Sequence, residues 1–213
     1  MKPFKFKAGT ESWTSGTLLH WYVEVDWSDP RHKALRDLVT TSNQVLLDAG
    51  FPITPVELPW LHVTVDQISI PAQQIGSEQR SRLVDEVSAR LVGIDRFTVI
   101  VGSLLSYHSG VIADLSPDEG LAALHAATRS GTRAALGDEA CLYEWGLQHL
   151  TTAYAHAEAD SDAAQRILRR VRPSHAPLHI NAVQLVDVTA QTGDRSKTVT
   201  WERLTRISLG GQK

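Results

Sequence analysis

One spacing constrains the fold of this chain more than any other feature: two kinds of signature each recur 87 residues apart. His62-Val63-Thr64 and His149-Leu150-Thr151 share a polar pattern, and the helix-start signatures Asp29-Pro30 and Ser116-Pro117 stand at the same separation. Downstream of each His-x-Thr the pattern predicts a helix and then a strand, at 77–91 and 97–105 in one case and at 161–171 and 178–189 in the other. The chain therefore reads as two copies of strand, helix, strand, helix, strand, over 18–105 and 110–190, with a terminal strand at 197–209. Two such copies sharing a core make a single bilobed domain over residues 1–213.

Local signals support these elements. Residues 18–25, LLHWYVEV, alternate as a strand with Leu19, Trp21 and Val23 on one face. Asp29 and Pro30 open a helix over 30–48 whose apolar stripe includes Leu35, Leu38, Val39 and Leu46, and Gly50 ends it. Ser77 is the expected cap of the next helix, which Gly93 terminates. Ser116, Pro117 and Glu119 make a capping box with proline in the first turn, predicting a helix over 117–136. A strand over 147–154 follows, and the polar stretch 191–197 reverses the chain between its last two strands.

Composition narrows the function classes. With 213 residues, 42% hydrophobic and 21% charged, the chain has the balance of an ordinary soluble globular protein. No apolar run approaches the ~20 residues needed to cross a membrane, and the N-terminus lacks the apolar stretch of a secretory signal. The single cysteine, Cys141, excludes an internal disulfide and a cysteine-rich zinc site, and fits a reducing cytoplasm. A formal net charge of −3 argues against coating long DNA or RNA. A small anionic ligand needs only a few donors in a local pocket, so it stays compatible with that charge. Neither a P-loop nor a dinucleotide-binding glycine fingerprint occurs, so nucleotide-driven ligation has no support.

Strand alternation places His62 and Thr64 on one face, against Leu61, Val63 and Val65 on the other, and places His149 and Thr151 against Leu150 and Thr152. Polar groups inside apolar strands are costly unless they have partners or line a wet cavity. Packing of the two copies about a pseudo-two-fold would bring both polar walls to one cleft. Acid-base transfer at phosphorus fits such a cleft. One imidazole takes a proton from water, the other protonates a departing ribose oxygen, and the threonine hydroxyls hold non-bridging phosphate oxygens. This chemistry requires no metal and no other cofactor.

At these residues the sequence resembles the two-histidine phosphoesterase superfamily, including bacterial proteins called 2′-5′ RNA ligases or RNA 2′,3′-cyclic phosphodiesterases. The resemblance rests on His62-Val63-Thr64-Val65 and His149-Leu150-Thr151-Thr152 and extends from Leu18 to Leu209. It implies an α+β fold of two duplicated βαβ-like lobes, with antiparallel sheets around a central cleft. It also implies His62 and His149 as the catalytic pair, Thr64 and Thr151 as phosphate ligands, and a cyclic phosphate nucleotide or RNA 3′ end as substrate. Thr152 departs from the hydrophobic residue usual at its position.

Other residues carry alternatives. Trp60 and Tyr154 flank the motifs and would either stack on a base or lie in the core; simple alternation turns Tyr154 away from His149. Arg166, Arg169, Arg170 and Arg172 read as a solvated helix end or as an RNA-backbone patch, and Cys141 as packing. His20, His108, His156 and His179 show no ligand spacing. The expected protein is a cytoplasmic monomer that hydrolyses a cyclic phosphodiester, without DNA or membrane partners. The competing functions are an enzyme of specialised metabolism using the same cleft on a non-RNA substrate, and a non-catalytic ligand- or protein-binding module.

Overall fold

The computed structural model describes all residues except 9, 10, 14, 15, 145, 194–196 and 211–213. Its strands are β1 (Lys7–Ala8), β2 (Glu11–Ser12), β3 (Thr17–Glu24), β4 (Ile53–Pro55), β5 (His62–Pro71), β6 (Phe97–Tyr107), β7 (Gly110–Ser116), β8 (His149–Ala155), β9 (Ala176–Ile180), β10 (Ala182–Thr192) and β11 (Lys197–Ser208). The helices are α1 (Lys33–Asp48), α2 (Ser77–Leu91), α3 (Glu119–Leu136) and α4 (Ser161–Leu168). Nine strands form one curled antiparallel sheet in the order β11-β10-β3-β5-β8-β7-β6-β9, with β4 paired to β8. The fold class is α+β.

The strand order makes the duplication visible. In the first copy, β3, β5 and β6 follow one another in sequence; in the second, β7, β8 and β10 do. Across the sheet they run β10-β3-β5-β8-β7-β6, so each copy gives its third strand to the other lobe. Helices cross over in the same way, α2 packing on α3 and α1 on α4. The α2–α3 contact is close: a Cβ on Gly131 would lie 2.5 Å from Val87 Cγ2 and 2.8 Å from its Cα. The central strands β5 and β8 pair at one position, Val63 opposite Leu150, residues that are themselves equivalent under the 87-residue spacing.

Burial follows the sequence periodicities. On α1 the buried residues Leu35, Leu38, Val39, Ser42, Asn43 and Leu46 form one helical stripe. On β3 the fully buried Trp21 faces the helices, where its Nε1 donates to Thr132 Oγ1 of α3 at 3.2 Å. A bidentate ion pair crosses the same interface. Arg129 of α3 donates to both carboxylate oxygens of the fully buried Asp66 on β5, at 2.5 and 2.8 Å.

Four local expectations need correction. Ser77 begins α2 but does not cap it: Gly76 is the N-cap, and the Gln79 side chain accepts from the Gly76 amide at 3.0 Å. Ser116 closes β7, and Asp118 precedes α3, because the ladder with β6 keeps Ser116 extended opposite Ile100. The stretch expected as one strand over 178–189 is two, broken at Asn181, where the chain passes from the β6 edge of one lobe to β3 of the other. Asp29 does cap through its side chain, but the turn it opens, Pro30–His32, is a 3-10 turn ahead of α1. Part of the polar reversal at 191–197 lies outside the described residues.

Candidate active site

The ladder between β5 and β8 consists of one pair, Val63 opposite Leu150, and the pairing does not extend to either side of it. His62 and Thr64 flank it on one strand, His149 and Thr151 on the other. The antiparallel register sets His62 beside Thr151, and His149 beside Thr64. All four side chains line one cavity of about 850 Å³.

The two imidazoles are anchored alike. His62 Nδ1 lies 2.9 Å from Trp60 O, and His149 Nδ1 lies 3.0 Å from Leu147 O, in both cases the carbonyl two residues earlier. A carbonyl only accepts, so Nδ1 carries the hydrogen and the neutral ring has its free lone pair on Nε2. Each Nε2 can therefore accept a proton when the ring is neutral and donate one when it is charged.

Their surroundings differ. His62 is 8% exposed, whereas His149 is solvent-exposed. The Tyr22 ring stacks on His62 at 4.0 Å and 18°, and Trp201 of β11 meets it edge-on at 5.0 Å and 78°. Burial pushes the His62 pKa down to about 4, against a raising effect of the Trp60 carbonyl and with a further lowering by nearby His149. Glu24 holds Trp201 in place, its Oε1 accepting from the indole Nε1 at 2.8 Å. Burial drives the pKa of the Tyr22 hydroxyl upward.

Simple alternation fails just beyond each motif, and in the same way twice. Tyr22 pairs with Thr64 but Trp21 with Asp66, leaving Val65 as an extra residue in β5. Likewise Ile112 pairs with Thr151 but Val111 with Ala153, leaving Thr152 extra in β8. These β-bulges lie 87 residues apart and reverse the facing of the strand residues beyond them. Gln67 and Tyr154, also 87 residues apart, therefore line the cavity, and Tyr154 does not turn away from it. The bulge also explains Thr152. Fully buried, its Oγ1 donates to Val111 O at 3.3 Å, while its carbonyl accepts from Asn43 Nδ2 and the Val56 amide at 3.1 and 2.9 Å.

Trp60 is not among the residues lining the cavity. Its carbonyl serves His62 and its ring packs edge-on against Trp201 at 4.9 Å. The arginine cluster is also elsewhere. Arg166, Arg169, Arg170 and Arg172 are exposed, and Arg172 donates to Arg169 O and Val171 O at the end of α4. Cys141 is half-buried, burial raises its thiol pKa, and it faces Arg129 O at 3.8 Å. Among the described residues no three His, Cys, Asp or Glu side chains gather where they could hold a metal ion. No helix among them is long and apolar enough to cross a membrane.

His20 escaped sequence reasoning, although a signal was present: on β3 it shares with Tyr22 the face opposite Leu19, Trp21 and Val23. Both rings line the cavity. His20 repeats the anchoring of the other two, Nδ1 against Leu18 O at 3.2 Å, and its Nε2 receives Gln67 Nε2 at 3.1 Å. Burial lowers its pKa to about 3.

No protein-family model and no curated protein matches the chain. Solved structures do. TT0787 of Thermus thermophilus is 19% identical, with a TM-score of 0.67 over 92% of this chain and 100% of its own. Apo LigT of E. coli is 14% identical, with a TM-score of 0.63 over 93% of this chain and 100% of its own. The PDE domain of MHV ns2 is 12% identical, with a TM-score of 0.50 over 80% of this chain and 98% of its own. The fold is that of the two-histidine phosphoesterases. Within the two-histidine phosphoesterase fold, the motifs of this chain stand on the two strands that meet at the pseudo-two-fold.

The buried neutral histidines make stability depend on pH. Both folded pKa values lie below the ordinary ~6.5, so between pH 6.5 and about 3 the unfolded chain binds more protons and stability falls as pH falls. The combined loss by pH 4 is on the order of several kcal/mol. Urea unfolding at pH 7, 6, 5 and 4 should show this decline, with a smaller one in His20→Gln. A flat profile over that range would contradict the assignment of buried neutral rings.

Proposed function

We propose that the protein is a metal-independent phosphodiesterase that opens a 2′,3′-cyclic phosphate on an RNA end or a small nucleotide. One observation carries this reading: two identically anchored imidazoles, each beside the other strand's threonine, where β5 meets β8. E. coli LigT, which shares the fold, has been crystallised with 3′-AMP and with phosphate.

Burial keeps His62 neutral at ordinary pH and suits it to act as base. Its Nε2 takes a proton from the attacking water as the new P–O bond forms. The exposed His149, in its protonated form, gives its Nε2 proton to the ribose oxygen as that P–O bond breaks. The products are a phosphate monoester and a free ribose hydroxyl. Thr64 and Thr151 donate to the non-bridging oxygens, where negative charge accumulates in the transition state. Trp201 and Tyr22 hold the His62 ring in one orientation.

Release of monophosphate from 2′,3′-cyclic nucleotides tests the reading. Activity should persist in a strong chelator and fall in acid as His62, its pKa lowered to about 4, takes up a proton. Loss of activity in chelator, restored by one divalent ion, would overturn the metal-free mechanism.

A further inference from the structure

The cavity has a wall that the acid-base reaction does not use. Residues 1–7, MKPFKFK, run along it as a docked strap. The Lys2 amide donates to His108 O at 2.7 Å, the Phe4 amide to Ala155 O at 2.8 Å, and Gln67 Nε2 to Lys7 O at 3.0 Å. Phe4 and Phe6 pack on Tyr154, at ring separations of 4.5 and 5.5 Å. Tyr154 lies three residues after Thr151 on β8, so the strap is fastened directly to the strand that carries one phosphate-binding hydroxyl.

Lys2, Lys5 and Lys7 are exposed along the strap and line the cavity. Among the described residues none of them forms an ion pair with a carboxylate. Glu158 is the one carboxylate among the described lining residues, which include no arginine. The cavity is thus cationic before any histidine is protonated, in a chain whose formal net charge is −3. Charge of one sign in a concave site focuses potential on an anionic ligand. At about 850 Å³, the cavity also has the size of sites that enclose an entire drug-sized ligand.

Resting on the phosphodiesterase reading above, we propose that Lys2, Lys5 and Lys7 form a second anion subsite, selecting substrates with a further phosphate beyond the cyclic one. In a nucleoside whose 2′ and 3′ oxygens share the cyclic phosphate, the remaining phosphate-bearing oxygen is O5′. The preferred substrate is therefore a 5′-phosphorylated nucleoside cyclic phosphate, or an RNA end whose chain continues through that oxygen.

Turnover of adenosine 2′,3′-cyclic phosphate is compared with that of its 5′-phosphorylated form and of a diadenylate ending in the same cyclic group. Wild type should favour both longer substrates by about 10-fold or more in kcat/KM at low salt, chiefly through KM, with the preference shrinking as salt rises. The variant Lys2→Gln, Lys5→Gln, Lys7→Gln should lose the preference, with a KM for the simple nucleotide raised less than for the longer substrates and its kcat little changed. Preference for only one of the two longer substrates would show whether a terminal phosphate or a chain phosphodiester is the natural occupant.

Calorimetric binding of adenosine 2′-monophosphate and adenosine 2′,5′-bisphosphate to both proteins supplies a readout independent of catalysis. A binding preference that is lost in the variant, without turnover of any substrate, would sustain the subsite and overturn the phosphodiesterase reading. Turnover without preference, or a preference that survives the three substitutions, would overturn the subsite alone. Neither turnover nor a binding preference would overturn both.

Discussion

Replacing His62 or His149 with alanine is expected to lower turnover of a 2′,3′-cyclic nucleotide by about 10² or more, because in the proposed mechanism each ring moves a proton in the transition state. The fold should survive both changes. His149 is exposed, and the His62 ring lies between the buried Tyr22 and Trp201, whose indole Glu24 holds. Removing His62 also removes a buried group that stays neutral at some cost, so its variant should resist acid better than wild type. Thr64→Val and Thr151→Val should each lower kcat/KM by the equivalent of about 1–3 kcal/mol, since in the proposed mechanism the lost partner is an oxygen that gains negative charge in the transition state. Steady-state kinetics with circular dichroism on each variant separates these effects.

The second large effect is structural. Asp66→Ala leaves the Arg129 guanidinium, 16% exposed, beneath the sheet without its carboxylate. Breaking one half of a buried pair in this way typically costs about 3–5 kcal/mol. For a domain of this size that corresponds to a fall in Tm on the order of 10 °C. Arg129 also donates to Cys141 O and Tyr143 O, at 3.1 and 2.9 Å, and so ties the approach to β8 to α3. Tyr143 lines the cavity. Asp66→Ala should therefore raise KM as well as lower Tm. A thermal scan showing a Tm within about 2–3 °C of wild type would contradict this account of the ion pair.

What the sequence made legible was the motif face, and what it hid lay in register and topology. The 87-residue spacing reaches into the three-dimensional arrangement: the paired Val63 and Leu150, the bulges at Val65 and Thr152, and the cavity residues Gln67 and Tyr154 all obey it. Alternation alone turned Tyr154 away, because a bulge is a property of two strands in register and leaves no periodic trace in one. The break at Asn181 was hidden for a related reason. No glycine or proline interrupts the stretch from Leu178 to Val188, and only the exchange of third strands between lobes divides it. Ser116 and Ser77 carry good capping chemistry, yet the β6–β7 ladder claims the first and Gly76 displaces the second. The face formed by His20 and Tyr22 was readable from strand β3 itself, as the polar and aromatic complement of Leu19, Trp21 and Val23. The strap of residues 1–7 was not, since its lysines and phenylalanines acquire meaning only when docked against β8.

The most direct test of the two-histidine mechanism is turnover of a 2′,3′-cyclic nucleotide by the folded double variant His62→Ala, His149→Ala, set beside both single variants. Groups that act as one acid-base unit are strongly non-additive, so the double variant should be about as slow as the slower single one, far above the product of the two losses. Unchanged turnover in both folded single variants, on a cyclic phosphate that wild type hydrolyses, would contradict the mechanism outright.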